Sequence, residues 1–249
     1  DSYSNIIVDM MAKKGVNTGN IIRDNNFVLP VKTRVMAGGV HTVKQQIIRI
    51  DRYYEGARTG AKESEIISRV KKLLDSVHAV LVSDYGGAVM TQGIIKYVNS
   101  IAKKGKKVIV DSRHSLRKFN HITAATPNET EAGPLAGMND YSNQGVKKMG
   151  KKIISAMKSK GLIITRGSKG MMVFEKGSIR EIPAFGSDEI VDVSGAGDTV
   201  SSITALAAAG GAGLYDAAYL ANIGGGLVVM KRGAATVTPE ELKRAVKNA

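Results

Sequence analysis

Short apolar runs alternate with longer amphipathic stretches along most of the chain. Apolar residues recur at helical spacing over 63–77, namely Ile66, Ile67, Val70, Leu73, Leu74 and Val77. A short apolar run follows at 79–82, then a helical stripe over 91–105 and another strand-like run at 107–111. This repeated order of strand, helix and strand predicts an α/β fold, with a mostly parallel sheet and helices on both faces.

Two other segments have the pattern of β-hairpins. Residues 31–53 contain two β-rich runs around Gly38-Gly39, and residues 171–182 contain two more that follow a buried strand at 162–165. Because the sequence shows no internal repeat, low-complexity tract or evident linker, we expect one main domain over 1–249.

Polar residues follow several of the strand-like runs. Asp84, Asp111, Asn128 and Arg166 each come directly after an apolar run. Ligands of parallel sheets bind outside the carboxyl ends of the strands, so these four residues predict one binding edge. Each of them alone is also compatible with an ordinary turn residue, and for Asp111 that is the interpretation we favour.

The most informative motif is the run Asp192-Val193-Ser194-Gly195-Ala196-Gly197-Asp198-Thr199. It joins an extended lead-in at 189–191 to an Ala-rich helical segment that starts near Asp198. Such a turn leaves backbone N–H groups unpaired at a helix N-terminus, where the helix dipole favours a phosphate. Asp198 could then act as a base towards an attacking hydroxyl. A plain glycine-rich turn, with Asp198 as an ordinary N-cap, explains the same residues.

Composition narrows the function classes. The chain has 249 residues, of which 43% are hydrophobic and 23% charged, as is typical of soluble globular proteins. The absence of cysteine excludes disulfides, thiolate zinc sites and thiol catalysis, and the four histidines lack metal-ligand spacing. The net charge of +14 is spread along the chain and only 5% of residues are aromatic, which favours steering of anionic small molecules over nucleic-acid binding. We expect a cytoplasmic protein without nucleic-acid or membrane partners.

Three motifs and the tail of the chain stand in a fixed order, at 126–131, 165–170, 192–199 and 231–237. Together they resemble the ribokinase-like carbohydrate kinases. The stretches 82–85, 126–128 and 236–242 are most similar to the heptose-7-phosphate kinase domain of bifunctional ADP-heptose synthesis enzymes. The resemblance implies a ribokinase-like three-layer α/β/α sandwich with a β lid. It also implies that residues 31–53 are what remains of the lid, and that an amino-terminal part is missing.

The implied activity is transfer of the γ-phosphate of ATP to a hydroxyl of a sugar or sugar phosphate, with D-glycero-D-manno-heptose 7-phosphate as one candidate. The resemblance makes Asp198 the catalytic base. It assigns the backbone N–H groups of Gly195, Ala196 and Gly197 to the developing negative charge. A nucleotide-binding but inactive protein, without a complete sugar site, is the alternative.

The resemblance also assigns the nucleotide site. Asn128 and Glu131 match a family motif that organises Mg²⁺, water and phosphate. The residues implied to line the ATP phosphates and ribose are Thr165, Arg166, Gly167 and Gly170, and Asn222 is implied to contact the adenine. Residues 224–226 are three glycines in a predicted helix from Tyr215 to about Val229. Either a close approach to the nucleotide or a helix break would account for them.

Other contacts are implied in the same way. The implied oxygen donors to a monovalent cation, K⁺ in many family members, are Asp192, Ser194, Lys231 and Gly233. Val237 stands where a serine of that site is expected. The implied sugar contacts are Asp84, Arg34, Arg49 and Asp51, and Gly87 stands where the heptose branch has lysine. Pairing of two subunits through the lid, as a homodimer, is implied as well.

Overall fold

The computed structural model describes residues 1–25, 27–38, 45–52, 62–86, 89–175, 177–186 and 191–248. The chain divides into two compact units, Asp1–Arg69 and Val70–Ala249. Each unit is described by itself below.

The first unit contains a helix and a hairpin. Helix α1 spans Ser2–Lys13 and begins at Asp1, whose side chain accepts a hydrogen bond from the Ser4 N–H at 2.9 Å. Strands β1 (Val31–Ala37) and β2 (Gln45–Arg52) pair antiparallel, which confirms the predicted hairpin. Gly39, in the predicted turn, lies outside the described residues.

The second unit is built on a sheet of six described strands. The strands are β3 (Ala79–Asp84), β4 (Lys107–Ser112), β5 (Ala124–Ala125), β6 (Gly161–Thr165), β7 (Met171–Glu175) and β8 (Ser178–Ile182). They lie side by side in chain order. The pairs from β3 to β6 are parallel, and β6, β7 and β8 are antiparallel, so the predicted mostly parallel sheet and the second hairpin are confirmed.

Seven helices accompany the strands in the described part of the chain. They are α2 (Glu63–Leu73), α3 (Gln92–Lys103), α4 (Glu129–Ala136), α5 (Asn143–Met157), α6 (Ala196–Ala209), α7 (Leu214–Val229) and α8 (Pro239–Lys247). The boundary between the two units falls within α2. Thr91 caps α3 by accepting a hydrogen bond from the Ile94 N–H, as predicted.

Helices cover both faces of this sheet. Val173 of β7 belongs to a buried cluster with Val200 of α6 and Ala218 of α7. The next residue, Phe174, lies against Gly150 of α5. Since neighbouring strand residues point to opposite faces, α5 covers the face opposite to α6 and α7. This is the three-layer arrangement expected from the sequence.

The glycines at 224–226 lie inside α7, which continues through them without a break. A side chain at Gly224 would overlap Ile203 of α6, and one at Gly226 would overlap the Phe185 carbonyl. The alternative of a helix break is therefore wrong. The close approach that requires glycine is made to α6 and to the Phe185 backbone.

Helix α6 is also held at its far end by the sheet. Lys107, the first residue of β4, donates from Nζ to the carbonyl oxygen of Ala208 at 2.5 Å. Asp111, later in the same strand, has its Oδ2 3.9 Å from where a Cβ of Gly197 would lie. Strand β4 thus bonds to one end of α6 and lies close to the other.

Candidate functional site

The N-terminus of α6 has the geometry expected of an anion site. Gly195 is its N-cap, with φ +82° and ψ 0°, a left-handed conformation that favours glycine. The helix begins without a side-chain cap, so the first-turn N–H groups are directed at whatever lies before it. One of the three expected donors is already used, because the Ala196 N–H bonds to the Val193 carbonyl at 3.3 Å. Of the lead-in, residues 189 and 190 lie outside the described residues.

Asp198 lies in the first turn of α6, three residues after the N-cap. Its Oδ2 accepts a hydrogen bond from the Tyr85 hydroxyl at 2.6 Å. Because Gly195 occupies the N-cap position, the alternative in which Asp198 is an ordinary N-cap is wrong. The Asp198 carboxylate instead faces the end of β3, where Tyr85 follows the strand.

The turn that carries Tyr85 is anchored by Asp84. The Asp84 side chain is buried, with its Oδ2 accepting from the Ser112 hydroxyl at 2.6 Å and its Oδ1 accepting from the Gly86 N–H at 2.9 Å. Both carboxylate oxygens therefore hold protein groups. Asp84 thus anchors this turn, and the sugar contact that the resemblance implies for it stays a prediction. Gly87 lies outside the described residues.

Asp111 belongs to the site, contrary to the turn role that we favoured for it. It lies within β4 and is half-buried. Burial, together with repulsion from the nearby Glu131, Asp198 and Asp84 carboxylates, raises the pKa of Asp111 to about 6, against the opposing charge of Arg113. The predicted edge therefore gathers four carboxylates around the N-terminus of α6.

Arg113 is the cation facing these carboxylates. Its Nε lies 3.6 Å from Glu131 Oε1, and its guanidinium lies over the Tyr85 ring, 5.4 Å from the ring centroid. The sequence reasoning missed both Arg113 and the role of Tyr85. In the sequence, Tyr85 appears only as the last residue of the stretch 82–85. Its partner Asp198 is 113 residues away along the chain, so no local pattern indicates the contact.

Asn128 and Glu131 form the capping box of α4. The Asn128 Oδ1 accepts from the Glu131 N–H at 2.8 Å, and Glu131 Oε2 accepts from the Asn128 N–H at 3.0 Å. Asn128 also bridges to Thr165 at the end of β6. The two residues of the implied magnesium motif are thus placed by the helix start, with Glu131 Oε1 directed to Arg113.

Arg166 is buried, with a side chain that is 3% exposed. It donates from Nε to Glu129 Oε1 at 2.5 Å and from Nη1 to Asn143 Oδ1 at 2.7 Å. Its guanidinium therefore ties the starts of α4 and α5 together, and the phosphate contact that the resemblance implies for it stays a prediction. The neighbouring Gly167 has open space where a side chain would be, whereas a side chain at Gly170 would overlap the Ile182 carbonyl.

Asn222 also makes a hydrogen bond within the protein. Its side chain is buried within α7, and its Nδ2 donates to the Pro183 carbonyl at 2.8 Å, which fixes the segment after β8. Contact with an adenine through the same side chain stays a prediction.

The residues implied in monovalent-cation binding come together in two adjoining segments. Asp192 Oδ1 accepts from the Ser194 N–H at 2.8 Å, and its Oδ2 accepts from the Gly233 N–H at 3.2 Å. The Lys231 ammonium is directed elsewhere, to the Thr236 carbonyl at 2.9 Å and to Glu241 Oε1 at 2.7 Å. Asp192 therefore joins the turn before α6 to the segment after α7.

Three of the implied sugar contacts lie in the first unit. Arg34 stands directly opposite Arg49 in the hairpin, and Asp51 is two residues further along β2. By strand alternation, these three residues share one face of the hairpin. Arg49 Nε lies 3.0 Å from Asp51 Oδ1, so Asp51 offsets part of the charge of the two facing arginines.

Two findings on absent features concern only the described ranges. They contain no group of three or more histidine, cysteine, aspartate and glutamate side chains able to hold a metal ion. Of the helices in these ranges, none combines the length and the apolar character that a membrane crossing requires.

Comparison with known proteins agrees with this geometry. A family profile described as "pfkB family carbohydrate kinase" matches residues 1–241. The bifunctional protein HldE of Geobacter sulfurreducens is 33% identical over 245 residues, which are 97% of this chain and 49% of that protein. HldE of Mesorhizobium japonicum is 32% identical over 248 residues, 99% of this chain and again 49% of the relative. The chain spans about half the length of the curated relatives it matches.

Solved structures show the same fold. Ribokinase from Thermotoga maritima superposes with a TM-score of 0.70 at 21% identity, over 100% of this chain and 78% of that one. Phosphofructokinase-2 from Escherichia coli, in complex with potassium, gives a TM-score of 0.69 at 17% identity, over 81% of this chain and 66% of that one. At these identities the likeness establishes the ribokinase-like fold alone.

Proposed function

Because the chain belongs to the pfkB family of carbohydrate kinases, we propose that it transfers the γ-phosphate of ATP to a hydroxyl group of a sugar or sugar phosphate. One observation carries this proposal: Asp198 stands in the first turn of α6, beside a helix N-terminus that starts at Gly195. A helix N-terminus attracts phosphate, and a carboxylate beside it can accept a proton from the attacking group.

In the proposed reaction, the acceptor oxygen bonds to the γ-phosphorus as the bond between that phosphorus and the bridging oxygen breaks. ADP leaves with the electron pair of the broken bond, and the proton of the acceptor hydroxyl passes to Asp198. The backbone N–H groups of Gly195 and Gly197, with the α6 dipole, would stabilise the negative charge on the transferred group. Ala196 would contribute by closing the turn that aims these donors.

The carboxylates near Asp198 fit a divalent cation. Repulsion from Glu131 and Asp198 contributes to the raised pKa of Asp111, and a cation would relieve that repulsion. Since the described residues offer no cluster of three metal ligands, Mg²⁺ would be held mainly by water and the ATP phosphates, with Glu131 acting through water. When bound, the ion would neutralise charge on the phosphate oxygens.

A monovalent cation fits the two segments that Asp192 joins. The Asp192 carboxylate, a Ser194 oxygen and the carbonyl groups around Lys231 and Gly233 are hard oxygen donors. The Gly233 N–H bonds to Asp192, so these two residues already lie together. We propose K⁺ as the ion, a choice in keeping with the potassium complex of the E. coli structural neighbour.

For the acceptor, we propose a sugar phosphate, with D-glycero-D-manno-heptose 7-phosphate first among those to be tested. The similarity to HldE proteins supports this choice. Within the hairpin of the first unit, Arg34 directly opposes Arg49, and like charges at paired strand positions are unfavourable. Contacts of these two arginines with the acceptor stay a prediction.

The opposite face of the same hairpin supports pairing of two copies of the chain. Val35, Ile48 and Ile50 alternate with the arginines, and each of the three is exposed. A two-stranded sheet with an exposed apolar face is marginally stable in water. We propose that a second copy covers it, and light scattering after replacement of Ile48 by Asp tests this: the mass should fall from dimer to monomer.

A coupled assay of ADP release, across a panel of sugars and sugar phosphates with Mg²⁺ and K⁺, tests the proposed activity. Asp198→Asn should reduce turnover by about a thousandfold or more, since a positioned base contributes about 10²–10⁴-fold. ATP binding, measured by calorimetry, should change little. Asp216→Asn is the matched control, because Asp216 occupies the equivalent place in the first turn of α7.

Two outcomes would contradict the proposal. Equal turnover in the Asp198→Asn and Asp216→Asn variants would remove Asp198 as the base. ATP binding without ADP release from any acceptor would instead favour a nucleotide-binding protein that lacks turnover.

A further inference from the structure

We propose that Tyr85 is a positioning residue for the proposed phosphoryl transfer, whose hydroxyl holds the Asp198 carboxylate in the orientation that receives the acceptor's proton. The inference rests on the proposed function, which makes Asp198 the base. Tyr85 Oη and Asp198 Oδ2 are 2.6 Å apart, the short distance of a hydroxyl donating to a charged carboxylate. With Oδ2 held in this way, Oδ1 is the atom that would take the proton.

The position of Tyr85 is itself determined by two contacts on either side of the residue. Asp84 accepts the Gly86 N–H and is fixed by the Ser112 hydroxyl, so the backbone before and after Tyr85 is anchored to β3 and β4. On the other side, the Arg113 guanidinium covers the phenol ring. A tyrosine restrained at both its backbone and its ring can in turn restrain the group that its hydroxyl contacts.

Tyr85 is suited to donate a hydrogen bond to Asp198, and not to take up the proton of the acceptor itself. Burial raises the pKa of the Tyr85 hydroxyl well above its usual value, and the hydrogen bond to Asp198 raises it further. The phenol therefore keeps its proton throughout the pH range in which a kinase operates. It acts on the reaction through Asp198.

Through Arg113, Tyr85 also connects Asp198 to α4, the helix whose start carries Asn128 and Glu131. Arg113 contacts the Tyr85 ring and also lies 3.6 Å from Glu131 Oε1. Asp198, Tyr85, Arg113 and Glu131 thus form a continuous chain of contacts across the ends of β3 and β4 and the starts of α4 and α6. Replacing Tyr85 should loosen the base without removing any group that touches ATP.

The test compares Tyr85→Phe with Tyr219→Phe, a control on the exposed side of α7. Tyr85→Phe keeps the ring beneath Arg113 and removes only the hydroxyl. We expect kcat to fall by about ten- to a hundredfold, with KM for ATP and the thermal unfolding midpoint unchanged, because misplacing a reacting group by about 1 Å costs about that much. An unchanged kcat would overturn the inference.

A double-mutant comparison gives a readout that a purely structural role would not produce. If Tyr85 acts through Asp198, adding Tyr85→Phe to Asp198→Asn should cause no further loss of kcat. Independent, multiplying losses would overturn the inference. Tyr85→Leu, which also removes the ring, should lower kcat further than Tyr85→Phe in the otherwise unchanged protein.

A crystallographic measurement separates failure of this inference from failure of the proposed function. In crystals of the wild-type chain with a non-hydrolysable ATP analogue, Tyr85 Oη should stay within hydrogen-bond distance of Asp198. The Tyr85→Phe crystals should show the Asp198 carboxylate in more than one orientation. Separation of the two groups, or an unchanged Asp198 in the variant, would overturn the inference even for a chain without turnover.

Discussion

Arg166 and Glu129 form the most buried ion pair of the described residues, with the arginine Nε 2.5 Å from Glu129 Oε1. The pair joins the loop after β6 to the start of α4, next to the capping box that places Asn128 and Glu131. The pair holds this loop against the start of α4. The sequence motif alone did not reveal this role.

Removing the arginine should therefore destabilise the protein. Arg166→Met leaves the Glu129 charge largely buried without its partner, and we expect the free energy of unfolding in urea to fall by about 3 kcal/mol. The double variant Arg166→Met/Glu129→Gln should recover part of this loss. Lys62→Met, which breaks the exposed pair between Lys62 and Glu65, is the control and should leave the free energy of unfolding nearly unchanged. Equal effects of the two single variants would contradict the buried role.

Asp111 makes the stability of the second unit depend on pH. Its pKa is raised from 3.8 to about 6 in the folded protein, so the folded state binds this proton more tightly than the unfolded state. Its contribution to stability is therefore greatest below about pH 4, and it declines as the pH rises to about 6.

Asp111→Asn removes this decline. We expect the variant to be more stable than the wild type by about 3 kcal/mol at pH 7.5 and nearly equal to it at pH 4, as measured by urea unfolding at both values. If the difference in the free energy of unfolding between Asp111→Asn and the wild type were the same at both pH values, the charge of Asp111 would not be destabilising.

The turn before α6 should tolerate only glycine at its N-cap. Gly195→Ala places a side chain on a residue with φ +82°, which should lower the free energy of unfolding by about 1 kcal/mol. Because the same residue aims the first-turn N–H groups, turnover should also fall by about tenfold or more. Gly210→Ala, at the other end of α6 with φ −70°, is the control and should leave both quantities nearly unchanged. Full activity of Gly195→Ala would argue against the anion site.

The contact between α6 and α7 should also tolerate only glycine at position 224. Gly224→Ala forces a methyl group against Ile203, and overpacking of this kind costs about 1–3 kcal/mol. Shortening the partner in the double variant Gly224→Ala/Ile203→Val should restore part of the loss, which thermal unfolding would measure. Additive losses in the double variant would show that Ile203 is not the obstacle.

The sequence predicted the sheet and the turn before α6 because both depend on local patterns. The continuous apolar runs of β4 and β6 indicate strands buried on both faces, and the glycines around Ala196 indicate the turn before α6. These features are encoded within a few consecutive residues.

The missed features depend on contacts between distant parts of the chain. The hydrogen bond from Tyr85 to Asp198 and the burial of Arg166 arise only when the strands are placed side by side. The role of residues 224–226 likewise depends on the neighbouring helix, since what matters is the side chain of Ile203. The turn role favoured for Asp111 was wrong for the same reason: its neighbours Glu131 and Asp198 are brought to it by the fold.

The double attachment of α6 to β4 has a consequence for how this protein can change over evolution. Lys107 bonds to one end of the helix and Asp111 lies near the other, so sliding or turning the helix about its axis would disturb both. Inserting or deleting one residue between the two ends would rotate Asp198 by about 100°. Descendants that adopt new acceptors should therefore keep the length of this helix and vary in the surrounding loops.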